Sequence, residues 1–393
     1  MTTEHTDRTD AAKTRLAEQG RFAPGPMSSG GGGVRVLAMT VAPDWWSIAR
    51  LPSQLVAAGF EVAAFCPPRS WLALTRFVCE RYVIQGPDLE GQLADAVAAW
   101  EPHLVIPGDE FAVHLLRGMD RPGTPETLRQ LVRRSCGDPR FHQVVTDKTR
   151  TLEEAARLDI AHPPQAPAED FQDFATRHGY PLLLKMSVGM AGLTVRACTD
   201  GESAAAALAR LRSLTLPAYV GQRSIMVQEH IRGRPASIAL VALDGVVLDS
   251  FSYSTEETAG ECGPSCVIRR LDHPGIAGTA RKLVAHFGFS GFGGFDFMIE
   301  AATGTPHLLE MNPRLTIAGH LGAAFGHDLA KALHAGLSGN SCSPQLDPGH
   351  DVVALFPHEW WRDALSPHLR HHFSDVPWDD PALLSRALIS RQP

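Results

Sequence analysis

The chain contains 393 residues, of which 44% are hydrophobic and 20% charged, and it carries a formal net charge of −7 with an isoelectric point near 6.2. This length accommodates two or three domains with a large buried core, and the composition is that of a soluble globular protein. The acidic balance argues against a basic surface for nucleic acid or for an anionic membrane, so neither is expected as a partner.

The sequence also indicates the cellular compartment in which the protein is expected. No apolar run approaches the roughly 20 residues of a membrane helix, and the polar N-terminus has no secretory apolar core. The seven cysteines are an odd number scattered over the chain, which favours reduced thiols over a disulfide framework. We therefore expect a cytoplasmic protein.

The first part of the chain predicts a flexible tail followed by a small α/β domain. Residues 1–33 are polar and end in four glycines, which predicts a disordered tail. Between residues 34 and 145, apolar runs typical of strands alternate with helix-like stretches, which predicts an α/β domain with a parallel sheet. The predicted strands are Val34 to Val41, Glu61 to Phe65 and Leu104 to Pro107, and the predicted helices are Ile48 to Ala58 and Leu89 to Trp100.

From residue 146 to residue 340 the pattern changes to strand pairs separated by single helices, which predicts an α+β region with antiparallel sheets. The predicted strands are Leu182 to Met186, Leu193 to Ala197, Ile225 to Ile231, Ser237 to Leu243 and Val246 to Tyr253. The predicted helices are Asp147 to Leu158, Glu202 to Ser213 and Ile276 to Phe287. Residues 341–393 are predicted to form a closing segment whose aromatic side chains pack over the core.

A hairpin near the C-terminal end predicts a metal site. Strand-like runs around Asp296 and Glu310 flank a turn centred on Thr303, which would place the two carboxylates directly opposite each other. Opposed carboxylates repel unless a cation lies between them. Asn312 points to the same face as Glu310 and adds a neutral oxygen, and this ligand set suits Mg²⁺ or Mn²⁺ completed by nucleotide phosphates. Arg314 follows within reach of those phosphates and would neutralise charge on a transferred phosphoryl group.

Two segments further upstream predict a nucleotide site. Lys185 ends an apolar strand and precedes a loop of small residues in which glycines let backbone amides approach phosphate; the loop positions concerned are Ser187, Gly189 and Gly192. A second segment alternates like a strand and would present backbone groups to an adenine; it reads Gln228-Glu229-His230-Ile231. Each segment alone has an ordinary alternative, namely a hairpin with a nearby lysine and an amphipathic strand with exposed polar residues.

Taken in order, these parts resemble the ATP-grasp superfamily, in its branch of carboxylate–amine ligases and carbamoyl-phosphate synthases, over about residues 34 to 340. In that family an N-terminal α/β domain precedes two α+β subdomains that grip ATP between antiparallel sheets. The resemblance implies a pre-ATP-grasp domain at residues 34–145, an ATP-grasp domain of two subdomains at 146–340, and Mg²⁺-ATP as the nucleotide.

The resemblance also implies roles for individual residues. The implied phosphate contacts are Lys148 and Lys185, the implied adenine and ribose contacts are Glu229 and Ile231, the implied metal ligands are Asp296, Glu310 and Asn312, and Arg314 would stabilise transferred phosphate. The loop here is less rich in glycine than is usual in the family, so Ser187 and loop closure would take a larger share in covering the phosphates.

The activity implied by the resemblance is ATP-dependent ligation of a small, amino acid-like carboxylate to an amine through an acyl phosphate, with release of ADP and phosphate. Two alternatives stay open: phosphorylation of a carboxylate or carbamate of the carbamoyl-phosphate-synthase type, and a regulatory protein that binds ATP without turnover. Residues Leu315 to His320 lack the acidic and basic pattern of a biotin carboxylase, which disfavours a biotin-linked role. A homodimer is expected only by analogy.

Candidates for substrate contact come from other parts of the sequence. Arg269 and Arg270 would hold an acceptor carboxylate, although solvated arginines at a strand end are an equal alternative. Asp109 and Glu110, after a predicted strand, and His320 are expected to line the substrate cavity.

Overall fold

Four short apolar runs near the start of the chain form a fully parallel sheet. The computed structural model describes residues 33–189, 194–221, 223–260, 263–339 and 346–390. The strands of the first sheet are β1 (Val34–Met39), β2 (Phe60–Cys66), β3 (Glu80–Val83) and β4 (Leu104–Pro107), in the order β3-β2-β1-β4. The helices of this unit are α1 (Ser47–Ala57), α2 (Trp71–Leu74), α3 (Leu89–Trp100), α4 (Glu110–Gly118) and α5 (Glu126–Cys136).

Both faces of this parallel sheet are buried, as crossover connections require. One face contributes Val36 and Ala38 to a core shared with α1, and the other contributes Leu37 and Met39 to a core formed with α3, α4 and α5. The strand order reverses between β1 and β4. In open α/β sheets such a reversal creates a crevice at the carboxyl ends of the strands, where ligands bind.

A small antiparallel sheet follows in the chain. Its strands are β5 (Gln165–Pro167), β6 (Leu182–Met186), β7 (Val195–Cys198) and β8 (Ile225–Glu229), in the order β5-β8-β6-β7. The helices in this stretch of the chain are α6 (Lys148–Arg157), α7 (Phe171–His178) and α8 (Gly201–Ser213). One face buries Leu182, Leu184 and Val227 against α7 and α8. Because strand residues alternate between faces, Lys185 points away from that core.

A seven-stranded sheet lies at the centre of the chain's fold. Its strands are β9 (Gly233–Leu243), β10 (Val246–Thr258), β11 (Ser265–Leu271), β12 (Gly291–Glu300), β13 (Pro306–Asn312), β14 (Val352–Ala354) and β15 (Phe373–Ser374), in the order β13-β12-β9-β10-β11-β14-β15. The remaining helices are α9 (Pro274–Phe287), α10 (Leu329–Leu337), α11 (His358–Arg362), α12 (Pro367–His371) and α13 (Pro381–Ile389). Neighbouring strands are antiparallel except β14 and β15, which run parallel.

The two faces of the central sheet pack against different parts of the chain. One face buries Leu283 and Phe287 of α9 together with Leu152 of α6. The other face, which carries Val241 and Phe292, belongs to the same core as β1 and α1. The central sheet therefore lies between the parallel unit on one side and α6 and α9 on the other.

The predicted fold class is confirmed: a parallel α/β unit is followed by an α+β unit with antiparallel sheets. Each predicted helix is present, with ends within two residues of the prediction. The sequence missed the strands β3, β5, β11, β14 and β15, because strands of two to seven residues carry little periodic signal. The predicted tail lies outside the described residues except for Gly33. The domain boundaries stay a prediction.

The C-terminal segment packs over the core and also adds a strand to the central sheet. Its aromatic residues Phe356 and Trp361 pack with Trp46 and Trp71, as predicted. Trp360 and Trp378 are exposed, so the predicted packing does not extend to them. The same segment also adds β14 along β11, which the sequence did not predict. Among the described residues, no helix is long and apolar enough to cross a membrane.

Two glycines with the same backbone conformation give a matched test of packing between units. Gly137 (φ 88°, ψ −155°) ends α5, where a Cβ would lie 2.2 Å from the carbonyl oxygen of Gly288, whereas at Gly221 (φ 79°, ψ −155°) a Cβ meets no described atom within 4 Å. Gly221→Ala should therefore lose only the roughly 1–3 kcal/mol of unfolding free energy that a side chain costs in this backbone conformation. Gly137→Ala should lose roughly 1–3 kcal/mol more because of steric overlap. Urea unfolding of both variants measures the difference, and equal losses would contradict the close approach.

Candidate active site

The β12–β13 hairpin brings two carboxylates together. Asp296 pairs directly with Glu310, as predicted. Near the turn the pairing is offset, since Phe297 pairs with Leu308, and the extra residue Leu309 restores the register beyond it. The turn is therefore centred half a residue before Thr303, and a bulge compensates. The two side chains share the sheet face that packs on the parallel unit.

Hydrogen bonds fix the orientation of Asp296. The Ser237 hydroxyl on the neighbouring strand β9 donates to Oδ1 of Asp296 at 2.6 Å, and the Asn312 amide donates to Oδ2 at 2.8 Å. Burial, and then the charge of Glu310, raise the pKa of Asp296 to about 6. The carboxylate is thus held in place at a site where its negative charge is costly.

Two lysines balance the charge of Glu310. Lys148 is the first residue of α6, and its Nζ lies 2.7 Å from Oε2 of Glu310. Burial alone would raise the pKa of Glu310, but Lys148 and then Lys185 bring it below its ordinary value. The Asp147 side chain accepts hydrogen bonds from the first turn of α6, which fixes the helix start from which Lys148 projects.

Arg314 is buried where the hairpin meets the parallel unit. Its Nε donates to Oε1 of Glu110 at 3.2 Å, and its Nη2 donates to Oδ1 of Asn312 at 3.0 Å. The guanidinium carbon lies 4.9 Å from the centre of the Trp45 ring, within cation–π range. The next residue, Leu315, donates its backbone amide to the carbonyl of Pro107 at the end of β4. Arg314 therefore lies at the crevice between β1 and β4.

The adjacent acidic residues Asp109 and Glu110 have different surroundings. Asp109 caps α4, and its Oδ2 accepts from the Thr40 hydroxyl at 2.6 Å and from the backbone amide of Val41 at 2.9 Å. It therefore ties the loop after β1 to the loop after β4. Glu110 points instead to Arg314, and only Glu110 reaches the cluster around the hairpin.

The small antiparallel sheet carries the predicted nucleotide segments. Gln228 on β8 pairs with Leu183 on β6, so its side chain shares a face with Lys185. Gln228 is fully buried, and neither its amide nitrogen nor its amide oxygen has a hydrogen-bond partner among the described residues. Glu229 points to the opposite face and contacts Nδ1 of His178 at 3.1 Å. His230 and Ile231 follow the strand end, half-buried.

The small-residue loop is described only in part. Ser187 is buried, its hydroxyl accepts from the amide of Ser224 at 3.1 Å, and its carbonyl accepts from the amide of Lys148 at 2.8 Å. Ser187 thus joins the loop to the start of α6. Gly189 has φ 155°, and a Cβ there would overlap Thr194. Gly192 lies outside the described residues.

Three further candidates are not brought to the cluster. Arg269 and Arg270 lie on β11, three strands from Asp296 and so roughly 14 Å away across the sheet. They are partly exposed and pair with Glu256 and Asp351, which matches the alternative of solvated arginines. His320 contacts Asp375 at 2.7 Å inside a closed, buried pair. The structure gives these three residues other partners.

Several residues of the site were missed by sequence reasoning. Ser237 and Trp45 contact the cluster, and Tyr253 pairs with Ser237 on the next strand, where burial raises its pKa. Trp45 had a usable signal, since it follows the first strand of a predicted α/β sheet, where ligands bind. Ser237 and Tyr253 had none, because only the strand order places them beside Asp296.

The hairpin residues fit a small divalent cation. Among the described residues, no group of three or more His, Cys, Asp or Glu side chains is arranged to hold a metal. Magnesium, however, is commonly held by one or two carboxylates together with substrate phosphates. Asp296, Glu310 and the Asn312 amide supply such an oxygen set, so the donor chemistry suits Mg²⁺ or Mn²⁺.

Comparisons with known proteins identify the fold. Residues 145–318 match a family model described as an ATP-grasp domain. The chain contains an ATP-grasp domain. The predicted superfamily is therefore confirmed for residues 145–318, which hold the small antiparallel sheet and strands β9 to β13 of the central sheet.

A curated relative and several solved structures are also similar to this chain. The arginine-specific carbamoyl phosphate synthase large chain of Geobacillus stearothermophilus is 26% identical over 257 residues, covering 60% of this chain and 22% of the relative. This chain thus spans about a fifth of that relative's length. A biotin carboxylase from Campylobacter jejuni superposes with a TM-score of 0.62 at 16% identity, covering 80% and 73% of the two chains.

A third comparison extends the range of chemistry seen on this fold. An L-amino acid ligase from Bacillus licheniformis superposes with a TM-score of 0.56 at 14% identity, covering 77% of this chain and 74% of the ligase. At such identities the likeness shows the fold, and the reaction must be argued from the site.

The raised pKa of Asp296 gives a stability test in chelated buffer. A buried acid with a raised pKa favours folding below its ordinary pKa near 3.8, and this contribution is lost as pH rises through about 6. The free energy of unfolding of Asp296→Asn, relative to wild type, should therefore rise by roughly 1–3 kcal/mol between pH 4 and pH 8. Urea unfolding at both pH values measures the change.

The exposed ion pair of Arg270 and Asp351 offers a control for this test. Asp351→Asn, at a side chain 72% exposed, should show no comparable pH-dependent difference. Added Mg²⁺ should stabilise wild type and not Asp296→Asn. A difference from wild type that is equal at pH 4 and pH 8 would contradict the burial of an ionised Asp296.

Proposed function

We propose that this protein is an ATP-dependent ligase that joins a small carboxylate to an amine through an acyl phosphate and releases ADP and phosphate. The observation that carries the proposal is the grouping of Lys148, Lys185 and Arg314 around the opposed carboxylates of Asp296 and Glu310. Such a grouping of fixed charges suits phosphoryl transfer, in which a protein mainly positions groups and neutralises charge.

The residues divide the work by charge. Asp296, Glu310 and Asn312 would hold Mg²⁺, which when bound supplies positive charge against the phosphates of ATP. Lys148 and Lys185 would contact the phosphate oxygens of ATP. The adenine would bind at the face of the small sheet that carries Gln228 and Lys185. The Gln228 amide supports this position, because it has no partner among the described residues and offers both a donor and an acceptor.

The reaction proceeds in two steps. A carboxylate oxygen of the substrate attacks the γ-phosphorus of ATP, the bond from phosphorus to the β–γ bridging oxygen breaks, and ADP leaves with the electron pair. The amine nitrogen then attacks the acyl carbon, phosphate departs, and the nitrogen loses a proton to give an amide. Arg314 would neutralise the transferred phosphoryl group in the first step and the departing phosphate in the second.

A second candidate is phosphorylation of a carboxylate or carbamate without joining an amine. It is favoured by the similarity to a carbamoyl phosphate synthase large chain, although this chain spans 22% of that relative. The product separates the two candidates, since the ligase gives an amide and the alternative gives an acyl phosphate. Trapping with hydroxylamine converts an accumulated acyl phosphate to a hydroxamate and leaves an amide unchanged.

Release of ADP tests the proposed activity directly. The assay uses Mg²⁺-ATP with three pools: amino acids, small carboxylates without an amino group, and amines without a carboxylate. Wild type should release ADP with the amino acids or with the other two pools combined, and not with either of those two pools alone. Glu310→Gln should reduce the rate by about 100-fold or more, because it removes the negative charge that pairs with Lys148 and that would bind the metal ion. Removal of Mg²⁺ with a chelator should have the same effect.

A charge-matched variant controls this experiment. Glu126→Gln, on α5 and 54% exposed at the side chain, should behave as wild type. Binding of ATP without ADP release from any pool would contradict the ligase and support the regulatory alternative.

A conservative change at Arg314 separates chemistry from nucleotide binding. Arg314→Lys keeps the charge but cannot contact Glu110 and Asn312 at once with a planar fork. We expect kcat to fall by about 10- to 100-fold while the Kd for a non-hydrolysable ATP analogue changes by less than about 3-fold. Single-turnover kinetics and calorimetry measure the two quantities. A matching loss of nucleotide affinity would show that Arg314 acts in ground-state binding instead.

A further inference from the structure

A groove runs along the outer edge of the small antiparallel sheet, where β5 is the last strand. It has a volume of about 960 Å³ and is lined by parts of α6, α7 and α8, by positions within residues 162–169 around β5, and by residues 223–226 at the start of β8. We call it the edge groove. None of the described residues that we assign to the nucleotide or to the metal lines it. The edge groove is therefore separate from the candidate active site, and its volume is that of a small-molecule site.

The lining of the edge groove is apolar over much of its surface. Eight of the eighteen lining residues are apolar, among them Leu152, Phe174 and Met226. A small inorganic ion would leave this apolar surface in contact with water. A ligand that fills the groove therefore needs an apolar body.

Two arginines of the edge groove have no acidic partner. Arg212 pairs with Glu169 at 2.8 Å, so these two charges offset each other. Arg177 and Arg223 form no ion pair within the described residues. The other acid of the lining, Glu153, lies on α6, whereas Arg177 lies on α7. The side of the groove away from α6 therefore carries uncompensated positive charge, which favours an anion.

Local contacts hold these two arginines at the groove. The guanidinium carbon of Arg177 lies 5.9 Å from the centre of the Phe174 ring, within cation–π range. Arg223 donates through Nη2 to the carbonyl of Leu214. A guanidinium has five N–H donors, so these contacts leave donors for a carboxylate, phosphate or sulfate group.

The edge groove adjoins both of the units that would bind the nucleotide. Its lining residue Thr149 follows Lys148, which ties α6 to Glu310 of the central sheet. Its lining residue Gln165 pairs with Gln228 in the small sheet, and its Nε2 donates to the carbonyl of Thr149 at 3.5 Å. This distance is at the outer limit of a hydrogen bond, so the contact is weak. A ligand that contacts both units would strengthen the link between them.

We propose that the edge groove is an effector site for a small organic anion with an apolar body, and that its occupation strengthens nucleotide binding. The anionic group would bind Arg177 and Arg223, and the apolar body would cover Phe174 and its neighbours. By contacting α6 and the small sheet together, the ligand would favour the arrangement in which Lys148 and Lys185 reach the same phosphates. The anion site is independent of the ligase reaction, and only the coupling rests on the proposed nucleotide contacts.

Glu153 reports the charge of the ligand. If the ligand is an anion, Glu153 repels it, and neutralising this side chain strengthens binding. If the ligand is a zwitterion that spans the groove, the same change weakens binding. Arg177 and Arg223 contribute in both cases, so the sign of the effect at Glu153 separates the two classes of ligand.

The experiment titrates the full chain by calorimetry with three organic anions: 2-naphthoate, 2-naphthyl phosphate and decanoate. 2-Naphthalenemethanol supplies an apolar body without the charge, and inorganic phosphate supplies a charge without the body. For wild type we expect a Kd below about 1 mM for at least one of the organic anions. Both reference compounds should bind at least about 10-fold more weakly, because each lacks one of the two features that the groove recognises.

The coupling is measured with Mg²⁺ and a non-hydrolysable ATP analogue. A saturating organic anion should lower the Kd for the analogue by about 5-fold or more. Saturating analogue should lower the Kd for the anion by the same factor, because the coupling between two sites is reciprocal. Competition between the two ligands would instead show that the anion binds in the nucleotide site.

Variants locate the binding site of the anion. Arg177→Gln and Arg223→Gln should each raise the Kd for the anion by about 3- to 10-fold, and Glu153→Gln should lower it by up to about 3-fold. Arg210→Gln removes an exposed arginine of α8 that does not line the groove, so it should bind the anion as wild type does. Arg314→Lys alters the candidate active site and should also leave the Kd for the anion unchanged. Thermal unfolding of each variant confirms that it is folded.

The outcomes separate this proposal from the proposed function. The effector site is overturned if no organic anion binds, if the uncharged alcohol binds equally well, if Glu153→Gln weakens binding, or if Arg314→Lys abolishes binding that Arg177→Gln retains. Binding at the groove with an unchanged Kd for the ATP analogue overturns the coupling and leaves the ligase standing. Failure of wild type to bind the analogue overturns the proposed nucleotide contacts, and the titration without analogue then still decides the anion site.

Discussion

The opposition of Asp296 and Glu310 on neighbouring strands is the constraint on which the site depends. Two half-buried carboxylates at a cross-strand distance repel. The fold compensates with Lys148, with Lys185 and with hydrogen bonds from Ser237 and Asn312. Each compensating group comes from a different segment of the chain. The geometry of one hairpin thus determines what α6, β6 and β9 must present to it.

The same constraint explains why the parallel unit packs where it does. Arg314 follows the hairpin and is too strongly charged to be buried alone, so it needs a carboxylate and a polarisable surface. Glu110, the first residue of α4 after β4, and Trp45, in the loop after β1, supply both. The crevice that a parallel sheet forms at its strand reversal is thereby placed against the reactive end of the hairpin. Stability and reactivity share these residues, because charges held together for chemistry must also be neutralised for folding.

The hairpin was predictable and its surroundings were not. The strand-like runs on either side of a short turn were enough to predict that Asp296 pairs with Glu310. The prediction succeeded because two errors cancel: the turn lies half a residue earlier than predicted, and the extra residue Leu309 restores the register. Ser237 could not be found, because its proximity depends on β9 lying between β10 and β12. Asp109 and Glu110 could not be separated in the sequence, since only the start of α4 decides which one caps the helix and which one faces Arg314. Local pattern therefore predicts contacts within a hairpin, and strand order decides the rest.

The strand β14 has a consequence for how the chain avoids self-association. Without it, β11 would end the central sheet and offer the unpaired backbone of Cys266, Val267 and Ile268, whose side chains are fully buried. An apolar strand with an open edge is a template for pairing with other chains. β14 occupies that edge, and β15 beyond it has only two residues, too short to guide another strand. The strands β14 and β15 therefore protect the edge of the central sheet from pairing with strands of other molecules.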